Sequence, residues 1–144
     1  MNMLDWSPQV QEFVRAHRVA RLGTVDDAGR PLVLPICYIV AGEILYSPTD
    51  AKPKRVPVQR LKRLKNIQDN PQVALVIDDY SDDWTQLAYV ILHGRAEILT
   101  GGSPFERAVA ALREKYPQYH HMAIQENPMI AVHLMRAVSW GAVT

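Results

Sequence analysis

The sequence predicts a mainly β (α+β) domain, a small antiparallel barrel decorated with helices. At least six strand-like stretches are separated by turn signals. The helical patterns between them do not alternate with the strands in the βαβ rhythm that a doubly wound parallel sheet requires. The chain has 144 residues, 48% hydrophobic and 22% charged. A chain of this length and composition holds one core without staples, so residues 1–144 are expected to form one domain.

The elements follow in order. Ser7 with Pro8 opens a helix, because proline at a first helical position forfeits no needed N–H. Val10, Phe13, Val14 and His17 then share one face to about His17. Val19 to Val25 reads as a strand and Asp26-Asp27-Ala28-Gly29 as a tight turn. Arg30 to Val40 is expected as a second strand, and Ile44 to Ser47 as a third after the turn at Ala41-Gly42-Glu43. A proline-punctuated loop, Pro48 to Pro57, leads to a helix with Val58, Leu61, Leu64 and Ile67 inward, and Asn70-Pro71 stops it. The apolar run Val73 to Ile77 and the segment Ala88 to Leu99 are further strands. Ser103-Pro104-Phe105-Glu106 has the form of a capping box, opening a helix with Phe105, Ala108, Val109, Leu112 and Tyr116 on one face. Met129 to Val143 closes the chain as one or two strands.

Composition narrows the function. Sixteen basic against 15 acidic residues leave a net charge of +1, which argues against a generic polyanion binder. Single-strand binders interleave aromatics with cations, yet Lys52 to Lys65 holds none, so no nucleic-acid partner is expected. A single cysteine, Cys37, excludes an internal disulfide and by itself makes no zinc site. The longest central uncharged run, Pro31 to Gly42, is 12 residues, against roughly 20 for a membrane helix. Asp5 stands where a basic leader would begin, so a soluble, cytoplasmic protein is expected.

Charge clustering supplies the positive signal. Between Lys52 and Lys65 lie seven basic residues (Lys52, Lys54, Arg55, Arg60, Lys62, Arg63, Lys65) and no acid. The run spans a loop and a helix start, where free N–H groups favour anions. It follows a strand ending in the hydroxyls of Ser47 and Thr49, which can donate to phosphate oxygens. Like charges without carboxylate partners repel until an anion arrives. A phosphate-bearing ligand is the economical partner.

Asp78, Asp79, Asp82 and Asp83 around Tyr80 miss the EF-hand spacing and read as a solvated turn. No metal site is expected. Trp84 behind them has the character of a lid over a planar ligand. The five histidines show no zinc-helix spacing, and no nucleophile elbow, P-loop or dinucleotide fingerprint occurs. With no nucleophile–base set, no catalytic side chain is assigned, and a bound cofactor would carry the reaction.

The segments Gly29-Arg30-Pro31 with Pro35, Leu45-Tyr46-Ser47, DAKPKR (50–55), RLKRLKNIQDNPQVAL (60–75) and HGRAEIL (93–99) together resemble the pyridoxamine 5′-phosphate oxidase-like split barrels. More narrowly they resemble the flavin/deazaflavin oxidoreductase branch, probable F-420-dependent enzymes. The similarity is strong over about Val19 to Leu99 and weaker elsewhere. It implies a six-stranded antiparallel split β-barrel of the FMN-binding type, assembled as a homodimer with two cofactor grooves between subunits. It further implies that Ser47, Arg63 and Lys65, with Asn66 adjacent, hold the cofactor phosphate. Lys52 and Lys54 would meet the phosphate or a polyglutamate tail. The ring would lie near Leu34, Pro35 and Ile36, with Trp84 and Trp140 closing the pocket. The implied activity is hydride transfer between F-420, or alternatively FMN, and a small, unsaturated or conjugated organic substrate. A non-catalytic flavin or haem carrier of the same fold is the competing reading. Pyridoxamine phosphate oxidases carry Arg-x-His near the C-terminus, where this chain reads Val138-Ser139-Trp140-Gly141, so that reaction is not expected. Arg63 stands where lysine is common, which keeps the charge and changes the geometry.

Overall fold

The two edge strands of the single sheet are neighbours in sequence, and that fact shapes the molecule. The computed structural model describes residues 4–49 and 61–143. Helix α1 (Pro8–Ala16) leads into β1 (Ala20–Val25), β2 (Pro31–Ile36), β3 (Ile39–Ala41) and β4 (Ile44–Pro48). Helix α2 (Lys62–Asp69), β5 (Gln72–Asp79) and β6 (Ala88–Leu99) follow. Helix α3 (Ser103–Lys115) and β7 (Met129–Gly141) complete the regular elements, with short 3-10 turns at Trp84–Gln86, Pro117–His121 and Ile124–Glu126. The strand order is β2-β1-β5-β6-β7-β4-β3, and every pairing among the described residues is antiparallel.

Strands β2 and β3 sit at opposite edges of this order with only Cys37 and Tyr38 between them. A sheet whose edges are joined by two residues must curl into a barrel. Its ladder stays open there, because β2 pairs with β1 while β3 pairs with β4. This is the antiparallel split barrel expected from the sequence, with seven strands among the described residues in place of six.

The extra strand comes from dividing the expected second strand, Arg30 to Val40. The Tyr116 side chain, at the end of α3, reaches into this segment. Its phenol oxygen accepts the Tyr38 N–H at 3.0 Å and lies 3.0 Å from the Tyr38 carbonyl oxygen and 2.8 Å from that of Arg18. Backbone groups bound to a side chain cannot join a ladder, so the strand breaks at Tyr38 and its halves serve opposite sides of the barrel.

The barrel interior is filled by Leu22, Leu45, Leu75, Ile77, Val90, Leu92, Ile130 and Val132, all buried. A second cluster lies under α3, where Phe105, Val109 and Leu112 pack against Ile39, Tyr46, Met129 and Ala131. Helix α1 begins as expected, with the Ser7 hydroxyl accepting the Val10 N–H at 3.1 Å. Helix α3 does not use the expected capping box. Gly102, at φ +99°, takes the cap position and no side chain caps the helix. Glycine tolerates that conformation and lets the helix start one residue early, which puts Ser103 inside it.

Strand β7 runs unbroken for 13 residues. Its register against β6 shifts at His93/Gly94: His93 faces Arg136 and Gly94 faces Leu134, leaving Met135 as the extra residue of a bulge. Gly94 is required there, since a Cβ would lie 2.6 Å from the His133 carbonyl oxygen and 2.6 Å from Val132 Cγ1. No helix among the described residues is long and apolar enough to cross a membrane.

Candidate functional site

The split creates a cleft of about 290 Å³ lined by Val19, Pro35, Ile36, Cys37, Ser47, Pro48 and Arg63. Three elements converge on it. The end of β2 supplies Pro35 and Ile36, the end of β4 supplies Ser47 and Pro48, and α2 supplies Arg63. Ser47 is only 1% exposed although it lines the cleft. It therefore presents a hydroxyl from a recessed wall, while Arg63 supplies a guanidinium. A hydroxyl and a guanidinium facing one small cleft are donors suited to a phosphate or carboxylate.

Helix α2 is fixed to the barrel by its buried face. Leu64 and Ile67 enter the core, and the fully buried Asn66 donates from Nδ2 to the Thr24 hydroxyl of β1 at 3.0 Å. Its Lys62 stands 3.5 Å from Asp26, which also accepts from Arg30 Nε and from the backbone N–H groups of Ala28 and Arg30, each at 2.9 Å. The Arg30 side chain, then the backbone donors, hold the Asp26 carboxyl far below the usual carboxylate range, outweighing its burial.

Behind Val19 and Cys37 the cleft wall rests on a buried tyrosine pair. Tyr38 donates its phenol proton to the Val14 carbonyl. Burial pushes its pKa up strongly, and pushes Tyr116 up to about 12. Lys115 donates to the His17 carbonyl at 2.6 Å, and its ammonium sits 4.1 Å from the Tyr38 ring centroid. Burial, then the nearby Arg18 charge, brings its pKa down to about 8. These contacts tie the C-terminal ends of α1 and α3 to the strand break, so the cleft rim is set by helix packing as well as by the sheet.

Of the residues singled out in the sequence, Pro35, Ile36, Ser47 and Arg63 come together at the cleft. Leu34 alternates with Pro35 along β2 and packs against the barrel core. Thr49, just past β4, is fully buried, with its hydroxyl lacking a hydrogen-bond partner among the described residues. Asn66 is the strut described above, and its Oδ1 is likewise buried without a partner. Lys65 is exposed and pairs with Asp69 at 3.3 Å. Arg63 is among the described residues lining the cleft and Lys65 is not. Lys52 and Lys54 lie outside the described residues.

Trp84 lies in the turn between β5 and β6 and is 72% exposed. Trp140 of β7 is 53% exposed and stacks on Tyr89 of β6, with ring centroids 5.7 Å apart and planes 21° apart. Neither is among the residues lining the cleft. Among the described residues, no three histidine, cysteine or acidic side chains converge to hold a metal.

Sequence reasoning missed Val19, Cys37 and Pro48 as lining residues, and Tyr116 as the residue that breaks the strand. Cys37 lies inside what reads as one continuous strand, and Tyr116 reads as one more residue on the apolar face of its helix. Their contacts span 78 positions in the case of Tyr38 and Tyr116, a distance at which no local pattern speaks.

Comparison with known proteins agrees with this architecture. The chain is 31% identical over 134 residues to a 5a,11a-dehydrotetracycline/5a,11a-dehydrooxytetracycline reductase of Streptomyces rimosus, covering 90% of this chain and 78% of that protein. Among solved structures, a conserved hypothetical protein of Mycobacterium tuberculosis superposes with a TM-score of 0.78 at 19% identity, over 96% of this chain and 86% of that one. The haem storage protein of Vibrio cholerae superposes with a TM-score of 0.72 at 16% identity, over 94% of this chain and 93% of that one. Residues 7–143 match the family described as pyridoxamine 5′-phosphate oxidase. The chain belongs to the pyridoxamine 5′-phosphate oxidase family.

Proposed function

We propose that this family member is an oxidoreductase that holds a flavin-type cofactor by its phosphate in the cleft of the split. The cofactor is the deazaflavin F-420 in preference to FMN, and the acceptor is a small conjugated organic molecule. One observation carries the reading: Ser47 and Arg63, from β4 and α2, line the same cleft as the exposed Pro35. The buried Thr49 hydroxyl, just past β4 and without a hydrogen-bond partner among the described residues, adds a polar atom to be satisfied close in sequence to Ser47. The residues fit a phosphate. When bound, the cofactor supplies the hydride.

The chain's own tasks are then binding, orientation and exclusion of water. Ser47 and Arg63 anchor the anionic end, and the rigid Pro35–Ile36 edge offers a flat apolar surface for a ring. The basic tract from Lys52 to Lys65 is larger than one phosphate needs, which favours a cofactor carrying further carboxylates. The reductase relative supports reduction of a conjugated substrate. A non-catalytic haem carrier is less favoured, because no histidine is among the described residues lining the cleft. A homodimer is part of the proposal, since a cleft open along one side is half of a groove for a flat cofactor.

Fluorescence titration with F-420 and FMN, with haem in parallel, tests this. F-420 is expected to bind more tightly than FMN. A charge-assisted hydrogen bond contributes about 1.5–3 kcal/mol, so Arg63→Ala should weaken binding roughly 10- to 150-fold. Binding of haem alone, or an unchanged affinity in Arg63→Ala, overturns the reading.

A further inference from the structure

Beside the cleft lies a second depression that the cofactor reading does not use. It measures about 440 Å³ on the outer face of the sheet and is lined by Arg21, Val76, Asp78, Tyr89 and Ile91. Its floor is apolar: Val76 and Ile91 are cross-strand partners on β5 and β6. One edge is polar, where the Arg21 guanidinium meets Asp78 at 2.8 Å. The aromatic edge adjoins this polar one, since Asp78 is the cross-strand partner of Tyr89. Tyr89 stands there with Trp140 of β7 stacked against it, and Trp140 keeps half its surface exposed.

The depression and the cleft share no lining residue, yet they are adjacent across the β1–β2 pair. Arg21 of the depression is the cross-strand partner of Pro35 of the cleft, and directly opposed residues hold their Cβ atoms about 4.5–5.5 Å apart. A molecule seated on the shelf therefore borders whatever lies along Pro35. The shelf also has a definite chemistry. An aliphatic floor, the Tyr89 phenol backed by the Trp140 indole, and the Arg21–Asp78 pair beside it suit a planar, fused-ring, conjugated molecule with an oxygen substituent accepting from Arg21. A short aliphatic acceptor would leave the aromatic wall unused.

We infer that this shelf is the acceptor subsite, and that Tyr89 and Trp140 select planar polycyclic substrates over monocyclic ones. This rests on the cofactor reading of the adjoining cleft and deepens it by naming the substrate class. The reductase relative acts on a dehydrotetracycline, a fused-ring compound of the shape the shelf accepts. Aromatic stacking on an exposed wall is geometrically demanding, so it discriminates by shape.

The test is isothermal titration calorimetry of the full chain, with and without saturating FMN or F-420. Tetracycline serves as the fused-ring probe and 2-cyclohexenone as the monocyclic one. Tetracycline is expected to bind, and Trp140→Ala and Tyr89→Ala are each expected to weaken it by about tenfold, the scale of a lost aromatic pair. Trp140→Phe should recover most of that loss. Cyclohexenone binding and FMN affinity should stay within about twofold of the parent in every variant. Tetracycline affinity unchanged in both alanine variants overturns the inference. So does a parallel fall in FMN affinity, which would make the wall a cofactor platform. A dimer by light scattering that takes up no tetracycline also overturns it, by assigning the face to a second copy of the chain. Failure of the cofactor reading is seen separately, as absence of FMN and F-420 binding with tetracycline binding retained.

Discussion

Replacing Tyr116 with phenylalanine removes one oxygen atom and tests the origin of the split. The ring keeps its place in the cluster under α3, so packing is conserved and only the polar role is lost. In the parent, the phenol oxygen accepts the Tyr38 N–H at 3.0 Å and reaches the carbonyls of Arg18 at 2.8 Å and Tyr38 at 3.0 Å. A phenol has one proton, so it satisfies one backbone donor and one carbonyl fully. Tyr38 is completely buried and Tyr116 is 3% exposed, so water does not readily replace the lost partner. Each buried group left unsatisfied costs about 1–3 kcal/mol, and Tyr116→Phe should lose about 2–4 kcal/mol. Against a total of about 5–15 kcal/mol for a natural domain, that is a large fraction. Urea denaturation is the assay: the midpoint should fall with the m-value unchanged. The same substitution should loosen the segment carrying Ile36 and Cys37 and weaken FMN binding. A stability loss below about 0.5 kcal/mol, within the range of an ordinary surface change, would refute the claim that this phenol holds the strand break.

Two further expectations come from other parts of the molecule. Burial holds Lys115 at about 8 against an ordinary 10.5, so between those values the unfolded chain keeps a proton that the folded chain has released. Stability should therefore rise with pH from about 8, until tyrosine ionisation in the unfolded chain near pH 10 opposes it. Lys115→Met should flatten that rise in thermal melts, and identical slopes for the two proteins would contradict the assignment. At the β6–β7 bulge, Gly94→Ala forces a methyl group to within 2.6 Å of the His133 carbonyl oxygen. Calorimetric melting should show a loss of about 1–3 kcal/mol from overpacking, and a neutral result would mean the strands part there without cost.

Much of the molecule was legible along the chain. Helix α1 with its Ser7 cap, strand β6 over Ala88–Leu99 and the stop at Asn70-Pro71 are local events, written in spacing, caps and prolines. The hydroxyl-ended strand followed by a basic tract was enough to expect an anion, and the family resemblance singled out Ser47 and Arg63 within it. The tertiary structure decided where each described cation sits. Helical geometry turns Lys65 toward Asp69 while Arg63 faces the cleft, and a charge count cannot express that difference. It also decided that Arg30 to Val40 is two strands, because the phenol that divides them belongs to a helix 78 residues later. Local sequence determines what each segment tends to form. The site lies where segments distant in sequence meet, and their meeting is settled by the closure of the barrel and the packing of α3 onto it.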